Sequence, residues 1–522
     1  MISRQNSIIL AVGLLLAAVT YQSLKVLPER IEMPLGCDPF GYLRQAELFR
    51  KQGLGGFSTE LSGPMPELLI DFVGKAKESM ARYGEVIAPH CHHLDLTTGK
   101  IIIQYPPGTG LLLAAFSSGI QSRALDMVLV ALVAALAFAC AVLTRSSINA
   151  VGMGLLGAAT ILLFDRLYVT WSVGPTILMA IIAAALQVQA FSSQAYSRRL
   201  WLALAAGVAV GFASNMRVTN VLIGVGPLAV YGLLFLKQRS RQTFYEGLVA
   251  GLGILLGAVP VLISNTINAG APWKTTYGSN DASPPKFEAD MMLSNAHYYL
   301  TLGWPSAFTV AAAIGLVAVW LLRPKLPLRL PNAMPLAITI GFGVNVIFFL
   351  THHLRTEYYM VGASVWTCYA AAFTLASHQR FVRWRDEPAR YGLAAAAGIA
   401  LLIAALVAPI KEVNPLRHQE TTLALPPNSM VWGDLSTGLF VMHLRQYAAK
   451  LVFTGPDEQS ELLDALRNKG VTQFFVNDSL HMAEVIARLK QLLPLHDAGK
   501  AFGYEVFSLQ AAPSAPSPAS RL

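Results

Sequence analysis

Charge is scarce in this sequence. Asp, Glu, Lys and Arg make up 13% of its 522 residues, about half the share usual in soluble domains, and apolar residues fill the deficit at 54%. A chain of that composition is not expected to fold wholly in water. Cysteine is also sparse, with four residues, which excludes a disulfide-dense secreted scaffold. No glycine-rich phosphate loop opens a helix of the C-terminal segment after Lys411, so no nucleotide site is expected there. The apolar stretches carry almost no ionisable residue away from their ends, whereas ion and proton pathways need such groups at depth. That counts against a transporter or flippase of lipid-linked precursors, as does the lack of an evident repeat between the halves.

What the chain has instead is apolar windows of roughly the length that crosses a bilayer core as a helix. They fall at 7–24, 124–143, 148–164, 175–190, 200–213, 218–236, 244–263, 305–322, 334–350, 358–375 and 391–408, giving about eleven crossings. No small-x-small cleavage site follows the first window before the charged stretch 25–30, so it reads as an uncleaved helix. Basic residues crowd alternate short loops: Arg198 and Arg199; Lys237, Arg239 and Arg241; Arg323, Lys325 and Arg329; Arg380, Arg383, Arg385 and Arg390. The positive-inside rule makes those loops cytoplasmic. The N-terminus then lies in the cytoplasm and the C-terminal tail outside an inner, plasma membrane. The net charge of +9 is a topology signal and calls for no nucleic acid. One apolar segment, 107–120, would invert every later loop if it crossed, and is expected to lie along the membrane surface.

The expected fold is therefore a polytopic α-helical membrane protein of about eleven transmembrane helices with a C-terminal extracytoplasmic α/β domain. The membrane domain takes in 1–410, including a first outer loop at 25–105 and a later one at 265–304. The α/β domain covers 411–510, and the Pro, Ser and Ala run at 511–522 reads as a disordered tail. In the α/β domain β-rich runs at 429–432, 451–454, 472–476 and 504–507 alternate with helical patterns at 437–449, 458–468 and 480–492. That order predicts a largely parallel sheet.

The first outer loop is the richest in chemistry. Cys37, Asp38, Pro39, Phe40, Gly41, Tyr42, Leu43, Arg44, Gln45 and Ala46 open a helix that Gly53 is placed to end. An aspartate before a proline caps a helix start, and the same carboxylate beside a membrane cavity can act as a base. The two roles are compatible. His90, Cys91, His92 and His93 follow, then Gln104, Tyr105, Pro106, Pro107 and Gly108. His90, His92 and His93 are weak candidates for a divalent metal, since adjacent imidazoles lack the ligand spacing of zinc motifs; a solvated polar turn is the other reading. Cys37 and Cys91 are the two cysteines outside apolar helices, in a compartment where a disulfide persists.

Taken in order, these motifs resemble the C-class (GT-C) membrane glycosyltransferases, in particular the bacterial relatives of protein O-mannosyltransferases and aminoarabinose transferases. The resemblance rests on Asp38 in a D-x-x-x-Y-L-x-x-A run, on Tyr105-Pro106-Pro107-Gly108, on Met216-Arg217-Val218-Thr219-Asn220, and on Gly270 to Gly278 with Lys274 and Tyr277 inside it. It implies transfer of a sugar from a polyprenyl-phosphate donor to the hydroxyl of a lipid, glycan or protein acceptor outside the cell membrane. Asp38 would be the general base. Tyr42, Tyr105, Arg217, Lys274, Tyr277, His353 and Arg355 would contact substrate, the cations offsetting the lipid phosphate; anchoring at the membrane interface is the alternative for Lys274 and Arg355. Some relatives carry a second acidic residue just before the fourth helix. That place holds Gly174 and Pro175 here, and the offset Asp165 stands beside Arg166. The outer α/β domain would position the acceptor. A non-catalytic membrane scaffold with a partner-binding tail is the remaining alternative.

Overall fold

The computed structural model describes residues 37–75, 84, 86–118, 121, 124–133, 171–278, 285–301, 305–322, 329–356, 358–377, 421–426, 429–433, 437–441, 446–450, 462, 464–466, 468, 473–478, 483–492 and 495–509. The expected crossings at 7–24, 148–164 and 391–408, Asp165, and the tail at 511–522 lie outside these residues. The chain divides into two compact units. The first comprises Met1–Glu32, Pro106–Ile263 and Ser279–Lys411, the second Met33–Tyr105, Ser264–Gly278 and Glu412–Leu522.

The second unit begins with helix α1, Cys37–Gln52, followed by α2, Pro64–Lys75. In the first unit come α3, Gly108–Leu113; α4, Val173–Ser192; α5, Tyr196–Ser214; α6, Val225–Gln238; α7, Arg241–Ala269, whose last turn belongs to the second unit; α8, Ala289–Thr301; α9, Pro305–Leu322; α10, Met334–Thr351; and α11, Val361–Ser377. Among the described residues four helical stretches are long and apolar enough to cross a membrane: Val173–Ser192, Val218–Gln238, Arg241–Ala269 and Met334–Thr351; α8 and α9 make a fifth if taken as one broken span. Four of the expected windows match these four stretches, and those at 200–213, 305–322 and 358–375 fall on α5, α9 and α11.

Small residues set how closely the helices approach. Gly207 and Gly211 of α5 face Gly253 and Gly257 of α7, and a Cβ on Gly211 would stand 2.0 Å from the Ile254 carbonyl oxygen. Lipid tails give helices no hydrophobic reason to associate, so backbone contact through paired glycines supplies it. α7 carries Pro260 in its interior, where the ring disturbs the helical hydrogen bonds. Asn215, just past α5, fills the gap: its Nδ2 donates to the Gly257 carbonyl (2.8 Å) and its Oδ1 accepts from the Val261 N–H (2.7 Å). The segment expected to lie along the membrane surface is helical at its start. Its helical part, α3, buries its first turn, with the Gly108 N–H donating to the Asn215 carbonyl at 2.8 Å and Thr109 packed on Met216.

In the second unit β1, His92–Asp95, and β2, Lys100–Ile103, form an antiparallel hairpin. Past residue 420 come β3, Ser429–Gly433; a short helix α12, Thr437–Leu439; β4, Ala448–Lys450; β5, Gln473–Asp478; α13, Ala483–Leu492; β6, Leu495–Ala501; and β7, Tyr504–Leu509. The sheet order is β4-β3-β5-β7-β6. β3 pairs in parallel with β4 and β5, whereas β7 pairs antiparallel with β5 and β6, so the sheet is mixed and not largely parallel. The antiparallel edge comes from β6, turned into β7 by Phe502 and Gly503 with φ of 56° and 82°, the two positive angles a tight hairpin needs. The segment expected to be helical at 437–449 is helical at 437–441. Its end is a strand instead, because tertiary bonds outweigh local helix preference: Trp432 Nε1 donates to the Lys450 carbonyl and the Lys450 N–H to the Ala88 carbonyl.

The sheet is buried on both faces. Met430, Trp432, Phe474 and Val476 pack with Leu69, Val73, Ile87, Leu94 and Ile101, while Val431, Phe475, Phe440 and Val506 fill the opposite side. The first set joins the first outer loop and the C-terminal segment in one core, so the compact units cut across the boundary drawn at 410.

Candidate active site

α1 brings the expected base onto the second unit. It starts at Cys37 with Asp38 in its first turn, where a carboxylate favours the exposed N–H groups and the helix dipole. Gly53, at φ 55°, ends it as expected. The buried face of α1 is fitted to Tyr105. Gln45 Nε2 donates to the Tyr105 carbonyl (2.7 Å), the Tyr42 and Tyr105 rings lie tilted at 5.2 Å, and Gly41 leaves room for the Tyr105 ring, which a Cβ would approach to 2.5 Å. Gln104 Nε2 donates to the Tyr105 hydroxyl at 3.0 Å. The run Asp38 to Ala46 thus meets Gln104 and Tyr105 in a single junction. Burial, then the Asp38 carboxylate, push the Tyr105 phenol well above its usual range, so it is a neutral donor at physiological pH. Tyr42 is 1% exposed and serves this packing. Asp38 itself is half-buried.

Beside Asp38 the two outer cysteines, candidates for a bridge in the sequence, stand together with one of the histidines. Cys37, His90 and Cys91 bring their sulfur and imidazole nitrogen atoms within 4.8 Å of one another. Both cysteines are free thiols, and the Cys91 sulfur lies 2.7 Å from the Cys37 carbonyl oxygen. Burial works against ionisation of Cys37, but the Cys91 hydrogen bond and the His90 imidazole bring its thiol down to about 5. Burial and then the Cys37 sulfur push Cys91 the other way. The expected metal triad of His90, His92 and His93 is not assembled. His92 and His93 are successive residues of β1 and so point to opposite faces, and burial drives the His92 imidazole down to about 3, holding it neutral in the protein interior.

The segment Gly270 to Gly278 docks on the same unit. Asn268 anchors it, donating from Nδ2 to the Phe57 carbonyl and accepting at Oδ1 from the Thr59 N–H, and Thr276 donates to the Gln104 carbonyl at 3.3 Å. Lys274, expected to meet a phosphate, instead pairs with Asp95 at 2.5 Å and donates to Thr97. Burial alone would raise the Asp95 carboxyl, but Lys274 and the Thr98 N–H hold it below the usual carboxylate range. Its charge is therefore committed to closing the β1–β2 turn. Tyr277 is half-buried on the same segment.

In the first unit Arg217 is the best-framed cation. Its guanidinium sits 4.3 Å from the centre of the Tyr358 ring and 5.3 Å from that of Tyr359, and its Nε donates to Ser172 Oγ at 3.2 Å. Asn215 and Asn220, which flank it, are buried; Asn220 donates to Thr176 Oγ1 and the Ala213 carbonyl. The guanidinium is thus held over two tyrosine rings and by Ser172, an arrangement that loses little freedom when a ligand arrives. Arg355 is exposed, lies 5.3 Å from the Tyr298 ring centre and donates to Ser294 Oγ at 2.6 Å. His353 stacks on His352 at 5.2 Å; partial burial, His352 and Lys286 lower its basicity. Tyr358 closes the turn that carries His353 and Arg355, and Tyr359, the next residue, has no signal in the sequence beyond that place.

No family model and no curated protein matches the sequence. Among solved structures the chain is similar to ArnT from Cupriavidus metallidurans in the apo state, with a TM-score of 0.53 and 13% identity over 97% of this chain and 98% of that one. A second structure of ArnT from the same organism, bound to undecaprenyl phosphate, gives 0.40 and 12% over 91% and 97%. The Archaeoglobus fulgidus oligosaccharyltransferase in the apo form gives 0.47 and 10% over 90% and 70%. At those two scores neither bears on the fold, and the first does: the chain is similar in fold to ArnT.

Proposed function

We propose that the protein is a membrane glycosyltransferase that takes a sugar from a polyprenyl-phosphate carrier and passes it to a hydroxyl of an extracytoplasmic lipid, glycan or protein acceptor. The observation that carries this reading is the junction at Tyr105, where a half-buried carboxylate, Asp38, is fixed at the start of a helix whose next turns are packed in place. Asp38 takes the proton from the acceptor hydroxyl. The acceptor oxygen then bonds to the anomeric carbon, the bond from that carbon to the phosphate oxygen breaks, and the carrier leaves as an anionic phosphate. Arg217 supplies the countercharge and N–H donors for that phosphate, with Arg355 as a second, more exposed cation. ArnT, whose fold the chain shares, binds undecaprenyl phosphate, which fits a lipid-phosphate donor here.

The charge distribution supports an extracytoplasmic reaction in an inner membrane. Arg198 and Arg199 lie at the start of α5, Lys237, Arg239 and Arg241 between α6 and α7, and Arg329 ahead of α10, all at helix ends opposite to those that carry Arg217, Ser172 and Tyr358. Positive ends mark the cytoplasmic side, so Arg217 faces away from it. The test is transfer by the purified full-length protein in liposomes supplied with a panel of radiolabelled polyprenyl-phosphate sugars. Release of label from one donor to acceptor or water is expected, and release from none of them would overturn the proposal.

A further inference from the structure

The trio Cys37, His90 and Cys91 has a chemistry that glycosyl transfer by Asp38 does not use. Two sulfurs and an imidazole are soft to borderline donors, and this set with one open position is a recurring zinc environment. A tetrahedral zinc with bonds of about 2.0–2.3 Å separates its ligand atoms by about 3.3–3.8 Å; the three donor atoms already lie within 4.8 Å of one another, so small side-chain rotations suffice. Two further features point the same way. His90 Nε2 is buried and has no hydrogen-bond partner. Cys91 adopts φ 72°, a left-handed conformation uncommon for residues other than glycine, and it keeps this side chain next to Cys37 although a disulfide is not formed.

We infer that Cys37, His90 and Cys91 bind one divalent zinc ion, which ties the start of α1 to the turn entering β1. Binding needs the thiols as thiolates, so their protons pass to solvent as the metal–sulfur bonds form. The ion fixes the residue next to Asp38 and holds the base in position without itself reacting. Because the donor set is complete within these residues, the inference stands whether or not the protein transfers sugar.

The test uses the full-length protein purified in detergent with a tag that contains no histidine. Metal content by mass spectrometry is expected to show one zinc per chain for the wild type and little for Cys37→Ser, Cys91→Ser or His90→Gln. Cobalt added to the metal-stripped protein is expected to give a thiolate charge-transfer band that Cys37→Ser lacks. Wild-type protein without stoichiometric zinc, or non-reducing mass mapping that finds a Cys37–Cys91 disulfide, overturns the inference. Zinc retained by His90→Gln at full stoichiometry also overturns it, and this variant leaves both sulfurs in place should the serine variants fold poorly.

Discussion

Replacing Gly41 by alanine tests the Tyr105 junction through the sign of its effect. In a helix interior, alanine in place of glycine stabilises by about 0.5–1 kcal/mol. Here the added Cβ would stand 2.5 Å and 2.9 Å from Cδ2 and Cε2 of Tyr105, about 1 Å inside a normal carbon contact. The ring cannot easily yield, since Tyr42 lies against it and Gln45 and Gln104 hold its carbonyl and hydroxyl. Overpacking of this kind costs about 1–3 kcal/mol, enough to reverse the helix gain. For a domain the size of the second unit that is a fall in melting temperature of about 2–10 °C, read by circular dichroism in detergent. In a Tyr105→Ala background the clash is absent, so Gly41→Ala should become neutral or stabilising. A double-mutant cycle that shows the same shift in both backgrounds would refute the packing described.

Other expectations follow from the same contacts. Arg217→Ala should raise the KM for the lipid donor about 10- to 100-fold, the worth of a charge-assisted hydrogen bond, with Arg217→Lys recovering part of it; an unchanged KM in both would remove Arg217 from the phosphate. Asp95→Asn should cost about 1–2 kcal/mol near neutral pH, a modest figure because Lys274 is partly exposed. The folded Asp95 is more acidic than the unfolded one, so its contribution is full above about pH 4 and fades as pH falls through the folded value; urea melts of the two proteins should converge in acid, and a gap that widens there would contradict the pairing. Gly211→Leu should separate α5 from α7 and destabilise by at least about 2 kcal/mol, lowering the temperature at which the detergent-solubilised protein aggregates; a wild-type profile on size exclusion after heating would speak against the glycine contact.

How much of this was legible in the sequence depended on how local each cause is. α1 was readable because its signals, Asp38-Pro39 at one end and Gly53 at the other, act within a turn. β3, β5 and β7 were readable from runs such as Ser429 to Trp432 and Gln473 to Val476, which are rich in aromatic and branched residues. β6 was missed because Asp497, Gly499 and Lys500 disfavour strands and only pairing with β7 holds them extended. The 437–449 segment was misread for the complementary reason: its end has helix-forming alanines, but Tyr447 donates to the Ile87 carbonyl 360 residues away, a bond with no periodic trace. Lys274 looked like a phosphate ligand because its partner, Asp95, is 179 positions distant. Cys37 and Cys91 were singled out as a pair and His90 as one of a histidine cluster; the left-handed turn at Cys91 joins the pair to His90 and leaves His92 and His93 in β1. The pairs Gly207/Gly211 and Gly253/Gly257 did carry a readable spacing, four residues apart on two apolar helices.

The central claim is that Asp38 removes the acceptor's proton. Once a donor is identified, single-turnover transfer by Asp38→Asn, in the same liposomes and with donor binding measured in parallel, tests it most directly. Transfer is expected to slow by about 10²- to 10⁴-fold with donor affinity within a few-fold of wild type; transfer at the wild-type rate would show that another group takes the proton.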